Sequence, residues 1–226
     1  MEQIFSHLTL SALYHHPEKT LAWDYLSGFT YPWEALDNLK QFILELGKKL
    51  PRDVYREISP DVWVASSARI APSACISAPA IIGEDAELRQ AAFIRGSALV
   101  GRGCVIGNSV ELKNCILFDG VQVPHFNYVG DSILGYLSHM GAGAITSNVK
   151  SDKSHVSVHM ESAALPTGRK KFGAMLGDCV EVGCNSVLNP GTVIGDHSNI
   201  YPLSSVRGYV PPNSIYKARG AIVSKH

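Results

Sequence analysis

VASSARIAPSACISAPAIIGEDAELRQAAFIRGSALV, residues 64–100, returns an aliphatic side chain at every sixth position. Val64, Ile70, Ile76, Ile82, Leu88, Ile94 and Val100 set the beat, which continues through Ile106 and Leu112 to Phe118. Alanine stands four residues after the early beats, at Ala68, Ala74, Ala80, Ala86, Ala92 and Ala98, and Cys104, Val110 and Ile116 follow in that place. A second run leads with Leu176, Val182, Leu188, Ile194, Ile200 and Val206 and carries Val180, Ser186, Thr192, Ser198 and Ser204 in the small position. Neither a helical period of 3.6 nor a strand period of 2 produces a bulky residue every sixth position, so the pattern is an internal repeat.

Such a repeat predicts an all-β chain, a left-handed parallel β-helix in which each hexad is a short strand plus a turn and three hexads close one coil. The bulky residue fills the interior and the small one fits the corner. Gly83, Gly101, Gly107, Gly183 and Gly195 directly follow bulky positions, where turns often need glycine. Single coils cannot bury their faces, and stacking them makes a continuous core. An antiparallel sandwich with Ala-rich strands would not hold this phase over sixty residues.

Working outward, residues 1–61 form a different material, an N-terminal helical and aromatic extension, and residues 62–226 form the β-helix domain. Phe5, Tyr14, Trp23, Tyr25, Phe29, Tyr31 and Trp33 cluster in the extension, and Leu36, Leu39, Ile43 and Leu46 recur at helical spacing between Trp33 and Lys49. The spacing predicts one amphipathic helix entered through Pro32, stopped near Pro51 and laid on the end or flank of the β-helix. Covering the first coil would also cap an exposed sheet edge. The rhythm breaks at Pro124, resumes at Leu134 and Met140, and breaks again across an inserted polar loop of about 146–172. Pro211 and Pro212 are expected to end the sheet pairing, and the tail from Ser214 to fold back as a closing strand.

Formal net charge is zero with a pI near 7.1, which argues against nucleic acid or an anionic membrane as partner. Any anionic ligand must therefore be held by a local cluster. Cys75, Cys104, Cys115, Cys179 and Cys184 are odd in number, make no CxxC pair and read as core fillers of a cytoplasmic protein. The start has no basic region and no long apolar run, so neither a signal peptide nor a membrane span is expected.

Departures from a repeat are where chemistry is expected, and the densest are VPHFNYVGD and HMGAGAITSN, with His125 at their centre. An imidazole suits general-base work at a partly buried cleft, although a turn histidine without a role would look the same. The stretch from Arg95 to Asn148 resembles the acetyltransferase half of the glucosamine-1-phosphate acetyltransferase/uridyltransferase family. Its motif of Gly-His, hydrophobe, polar residue, Tyr-Leu-Gly-Asp is matched by His125 to Asp131, with Pro124 in place of the Gly. Its Gly-Ala-Gly-Thr-Ile-Thr-x-Asn recurs as Gly141 to Asn148 with Ala144 for Thr, and FGAMLGD resembles the segment past the inserted loop.

The resemblance implies an acetyl-CoA-dependent N-acetyltransferase acting on an amino sugar phosphate or a nucleotide-linked amino sugar, in UDP-N-acetylglucosamine-type nucleotide-sugar synthesis. It implies that His125 is the base, that Arg95 and Lys113 hold phosphate, and that Tyr128, His139, Asn148 and Lys171 contact the acceptor. His139 stands where that family has asparagine. It further implies that Ala142 lends a backbone N–H to the thioester oxygen, and that Cys184 and Pro202 occupy acetyl-CoA positions held there by small polar residues or alanine. Arg95 and Lys113 precede His125 by thirty and twelve residues, whole multiples of the hexad, which would set them on neighbouring coils near it. A homotrimer is implied, with no metal. YPWEAL, residues 31–36, looks like the linker of related two-domain sugar nucleotidyltransferases, whose nucleotidyltransferase half would be a separate partner.

Two other readings share this scaffold. One is a non-catalytic module binding sugar phosphate or nucleotide sugar. The other is a metal hydratase of the γ-carbonic anhydrase kind using His125, His139, His155 and His159, although zinc needs three ligands at suitable spacing and the HxxxxH spacing expected of that family is absent.

Overall fold

In the computed structural model, which describes residues 2–217 and 220–225, the hexads close into a parallel β-helix with three faces. The first face stacks Val62–Ala65, Ala80–Ile82, Ala98–Val100, Ala174–Leu176, Thr192–Ile194 and Tyr209–Val210. The second stacks Arg69–Ile70, Glu87–Leu88, Val105–Asn108, Gln122–His125, His139–Met140, Glu181–Val182, Asn199–Ile200 and Ser214–Tyr216. The third runs from Cys75–Ile76 and Phe93–Ile94 to Ile145–Thr146, Val187–Leu188 and Ser205–Val206. The long strands Glu111–Leu117 and Tyr128–Leu134 bend from the third face into the first and so join the two into one sheet.

The beat residues point inward: Ile82, Leu88, Ile94, Val100, Ile106 and Leu112 are buried, as are the small residues Ala80, Ala86, Ala92 and Ala98. Where serine or threonine replaces alanine, the hydroxyl satisfies a corner carbonyl. Ser186 donates to Tyr201 O (3.1 Å), Thr192 to Asn189 O (2.7 Å) and Ser198 to Pro211 O (2.7 Å), which removes the cost of burying them. The glycines after the beat have a different cause from the one expected. Gly83, Gly101, Gly107, Gly183 and Gly195 do not adopt positive φ. They are needed because coils stack too closely for a Cβ, which at Gly83 would lie 2.7 Å from the Gly101 carbonyl carbon.

The rhythm breaks earlier than Pro124. Val64, Ile82 and Val100 pair at eighteen-residue steps, whereas Val100, Leu117 and Leu134 pair at seventeen. The lost residue lies at the corner between the third and first faces. That corner is turned by Gly96 and Ser97, both at positive φ, in one coil, but by Asn114 alone (φ 51°) and then by Asp131 alone (φ 49°) in the next two. Asparagine and aspartate tolerate this left-handed conformation better than other non-glycine residues. Leu117 therefore takes the beat position, and the buried Phe118 beside it stacks on Tyr14 with centroids 5.0 Å apart.

The extension lies along the first face, which is why both sides of that sheet are buried. Its expected single helix is two: a 3-10 helix, Pro32–Leu36, and an α-helix, Leu39–Gly47. Glu34 caps the first by accepting the N–H groups of Thr30 and Tyr31 (3.0 and 2.9 Å), and the break after Leu36 leaves Asp37 and the Leu36 carbonyl free for the β-helix. Trp33, Leu36, Leu39 and Ile43 share one core with Ile81, Leu99 and Ile116. Two of the terminal strands are capped by antiparallel strands, Tyr55–Ser59 on Val62–Ala65 at the start of the first face and the returning Ile222–Ser224 on Ser214–Tyr216 at the end of the second. Of the tail, Ala218, Arg219 and His226 lie outside the described residues. The inserted loop is built, not featureless: Ser157–His159 and Ala164–Pro166 form a hairpin whose Val156 and Val158 are buried. Among the described residues no helix is long and apolar enough to cross a membrane.

Candidate functional site

The one-residue corners bring a charged cluster together. Because Lys113 pairs with Gly130 in the sheet, its ammonium reaches the carboxylate of the next residue, and Nζ lies 2.9 and 3.0 Å from the two Asp131 oxygens. Asp131 is only 2% exposed. It also accepts hydrogen bonds from Asn114 Nδ2 (2.8 Å) and Asn148 Nδ2 (2.5 Å), so its charge is fully solvated by protein. Asn148 Nδ2 lies 3.2 Å from the Tyr128 hydroxyl as well, leaving that O–H free to donate. Desolvation raises the Tyr128 pKa, with Asp131 and Glu111 adding to the effect and Arg95 opposing it. Arg95, one coil back at the same corner, holds Glu111 at 2.8 Å in an exposed pair. Each cation of the cluster thus has a carboxylate partner, and only the Arg95–Glu111 pair is open enough to exchange it for an anion.

The extension and the insertion brace this corner from outside. Asn114 Nδ2 also points at Leu36 O (3.4 Å), and Arg169 Nη1 lies 2.5 Å from Asp37. The loop neck closes where Phe172 N–H donates to Asn148 O (2.9 Å) and Gly173 N–H to Asp131 O (2.9 Å), and the buried Phe172 ring rests on Trp33. Lys171 leaves the neck exposed to solvent.

A second set of residues occupies the corner between the second and third faces. Gly143 N–H donates to His125 O (3.0 Å), Asn185 N–H to Ala142 O (2.8 Å) and Leu203 N–H to Cys184 O (2.9 Å). His125, Ala142, Cys184 and Pro202 therefore stand in one column on successive coils. His125 is exposed, not set in a partly buried cleft, and Cys184 and Pro202 are exposed below it. The Ala142 N–H donates to no acceptor among the described residues. Phe126 and Leu203 flank the column at positive φ, 62% and 79% exposed, an unusual placement for bulky side chains.

The hexad arithmetic placed Arg95 and Lys113 on neighbouring coils, but across the third face from His125 rather than beside it. Tyr128, on the strand between, begins three residues after His125, on the order of 10 Å at about 3.3 Å per residue. His139 falls elsewhere. It projects from the second face with Nδ1 2.7 Å from Glu181, paired in register with Gln122. The four histidines His125, His139, His155 and His159 do not converge, and among the described residues no group of three or more metal-ligating side chains could hold an ion. Sequence reading missed Asp131 as the hub, Glu111 as the partner of Arg95, and Asn127. The hub had a signal, a motif carboxylate exactly one seventeen-residue coil below Asn114, legible only once the shortened coil is known.

Fold and site together define a hexad-repeat β-helix with a carboxylate-centred polar cluster at one corner of a face and a histidine-headed column at the other. The chain belongs to the family described as the GMPPB C-terminal domain, which matches residues 76–200. It is 34% identical over 178 residues to a bifunctional protein GlmU of Methanococcus maripaludis, covering 78% of this chain and 43% of that one. It is 35% identical over 109 residues to a bifunctional sugar-1-phosphate nucleotidylyltransferase/acetyltransferase of Sulfurisphaera tokodaii, covering 48% of this chain and 27% of that protein. The chain thus spans less than half the length of these curated relatives. Among solved structures, a UDP-N-acetylglucosamine acyltransferase from Campylobacter jejuni superposes with a TM-score of 0.41 at 14% identity, over 71% of this chain and 73% of that chain.

Proposed function

We propose that the chain is an acetyl-CoA-dependent N-acetyltransferase whose acceptor is an amino sugar carrying a phosphate or a nucleotide. The observation that carries this reading is the column of His125, Ala142, Cys184 and Pro202 at one corner, with the polar cluster a short strand away. Kinship with proteins named as sugar-1-phosphate nucleotidylyltransferase/acetyltransferases supports the chemistry.

In this reading the acceptor lies across the third face. Its phosphate takes Arg95 from Glu111, its hydroxyls meet Tyr128 and Asn148, and its amine reaches the column. An ammonium has no lone pair, so a base must hold the amine neutral or take its proton during attack, and His125 is the exposed imidazole at that point. As the amine nitrogen bonds to the thioester carbonyl carbon, negative charge grows on the carbonyl oxygen, and the Ala142 N–H is free to donate to it. Expulsion of the thiolate breaks the C–S bond, and the proton held by His125 passes to the sulfur. Cys184 and Pro202 line the path of the donor.

Release of free thiol from acetyl-CoA in the presence of glucosamine-1-phosphate or galactosamine-1-phosphate tests the reading. Turnover with either establishes it. A sugar phosphate that raises the melting temperature without turnover would instead favour the binding module, because mass action stabilises whatever binds the native state. Cys184 provides an independent check of the donor path. With acetyl-CoA at about ten times its Kd, alkylation of Cys184 should slow roughly tenfold while that of the exposed Cys75 does not change. Equal rates at both thiols would remove Cys184 from the path.

The acceptor surface is open along the third face, whereas the first face is covered by the extension. A homotrimer, in which another copy walls that surface and Lys171 reaches across, fits closed cyclic symmetry. Light scattering should then return three times the 24.4 kDa chain mass.

A further inference from the structure

Asn127 follows His125 by two residues and is 2% exposed, and its side chain bonds only backbone groups. Its side chain joins two neighbouring coils. Oδ1 accepts the His125 backbone N–H at 3.1 Å, while Nδ2 donates to Gly141 O at 2.8 Å and to Ala144 O at 2.9 Å. Gly141 and Ala144 bracket Ala142, and their turn is closed by the Ala144 N–H on Gly141 O (3.1 Å). A second link, Gly143 N–H to His125 O, lies beside it.

We infer that Asn127 is the positioning residue of the transfer reaction, fixing the Ala142 N–H relative to His125. This rests on the acyltransferase reading above. The chemistry of the amide explains why asparagine is there. One acceptor must face an N–H while two donors from a single nitrogen face two carbonyls, and a primary carboxamide supplies that set from one short side chain. Serine or threonine has one donor and too little reach, and a carboxylate would turn an oxygen toward two carbonyl oxygens. Both coils meet at this side chain, so its loss frees the turn that carries Ala142 without disturbing Arg95, Lys113 or Asp131 at the far corner. Small displacements between a base and a charge-stabilising donor cost disproportionate rate.

Asn127→Ala and Asn127→Asp are expected to lower kcat about 100-fold while the KM of the acceptor holds, since misplacement on the order of 1 Å carries that penalty. The deciding measurement is a double-mutant cycle with His125→Ala. A residue that acts by placing the base against the oxyanion donor has little left to lose once the base is gone, so the double variant should be nearly as slow as His125→Ala alone. Losses that multiply, or an Asn127→Ala loss that vanishes at lower temperature along with its instability, would assign Asn127 to folding only and overturn the inference. Hydrogen exchange of residues 141–148 separates this from failure of the acyltransferase reading itself. Even if the wild type turns over no amino sugar, Asn127→Asp should accelerate exchange in that segment and leave residues 111–117 unchanged. Equal exchange in wild type and variant would show that Asn127 does not hold the turn.

Discussion

Replacing His125 with alanine should reduce acetyl transfer by about 10²- to 10⁴-fold, the range over which a positioned general base contributes. The effect should fall on kcat. In the proposed reading the acceptor is held by Arg95, Tyr128 and Asn148 and the donor follows the column below the histidine, so neither binding surface would depend on the imidazole. The substitution should also be nearly neutral for stability, because the side chain is exposed and makes no hydrogen bond to another described residue; only its backbone is engaged, by Asn127 and Gly143. Thiol release from acetyl-CoA with the better sugar phosphate measures the first effect and thermal unfolding the second. An alanine variant that retained full turnover would show that another group takes the proton and would remove the column from the mechanism.

Asp131→Asn should destabilise the protein by about 3–5 kcal/mol, the usual cost of breaking a buried ion pair from one side. The substitution keeps the shape of the side chain, but it leaves the Lys113 ammonium, 23% exposed, without a counter-charge and turns a donor toward Lys113, Asn114 or Asn148. Lys113→Met should cost less by itself, since two carboxamides still serve Asp131. The combined variant should recover much of the Asp131→Asn loss, because removing both charges also removes their desolvation. Denaturant midpoints of the three variants settle this. A fully additive double variant would mean that Lys113 and Asp131 do not act as a pair. The outcome bears on the proposed function too: a lysine already neutralised by a buried carboxylate offers little net charge to a phosphate, so in that reading the duty would fall to Arg95.

The sequence by itself determined the β-helix, because a six-residue beat admits only a coil whose core is filled by one residue in six and whose corners accept only small ones. It also determined which motif residues to gather, and those at the second-to-third corner did form one column. Only the tertiary structure decided where the pieces stand. The loss of a single residue at Asn114 is nearly invisible in a beat that tolerates Phe118 as readily as Leu117, yet it sets the corner at which Lys113, Asp131 and Asn148 meet. The division of the expected helix into Pro32–Leu36 and Leu39–Gly47, and the covering of the first face by the extension, likewise depend on contacts between residues far apart in the chain. His139 shows the limit most plainly. It lies within the motif stretch, but a strand sends successive side chains to opposite sides, and its register with Gln122 and Glu181 turns it onto the second face. Periodicity reports what each residue packs against within its own coil; stacking between coils decides which side chains meet.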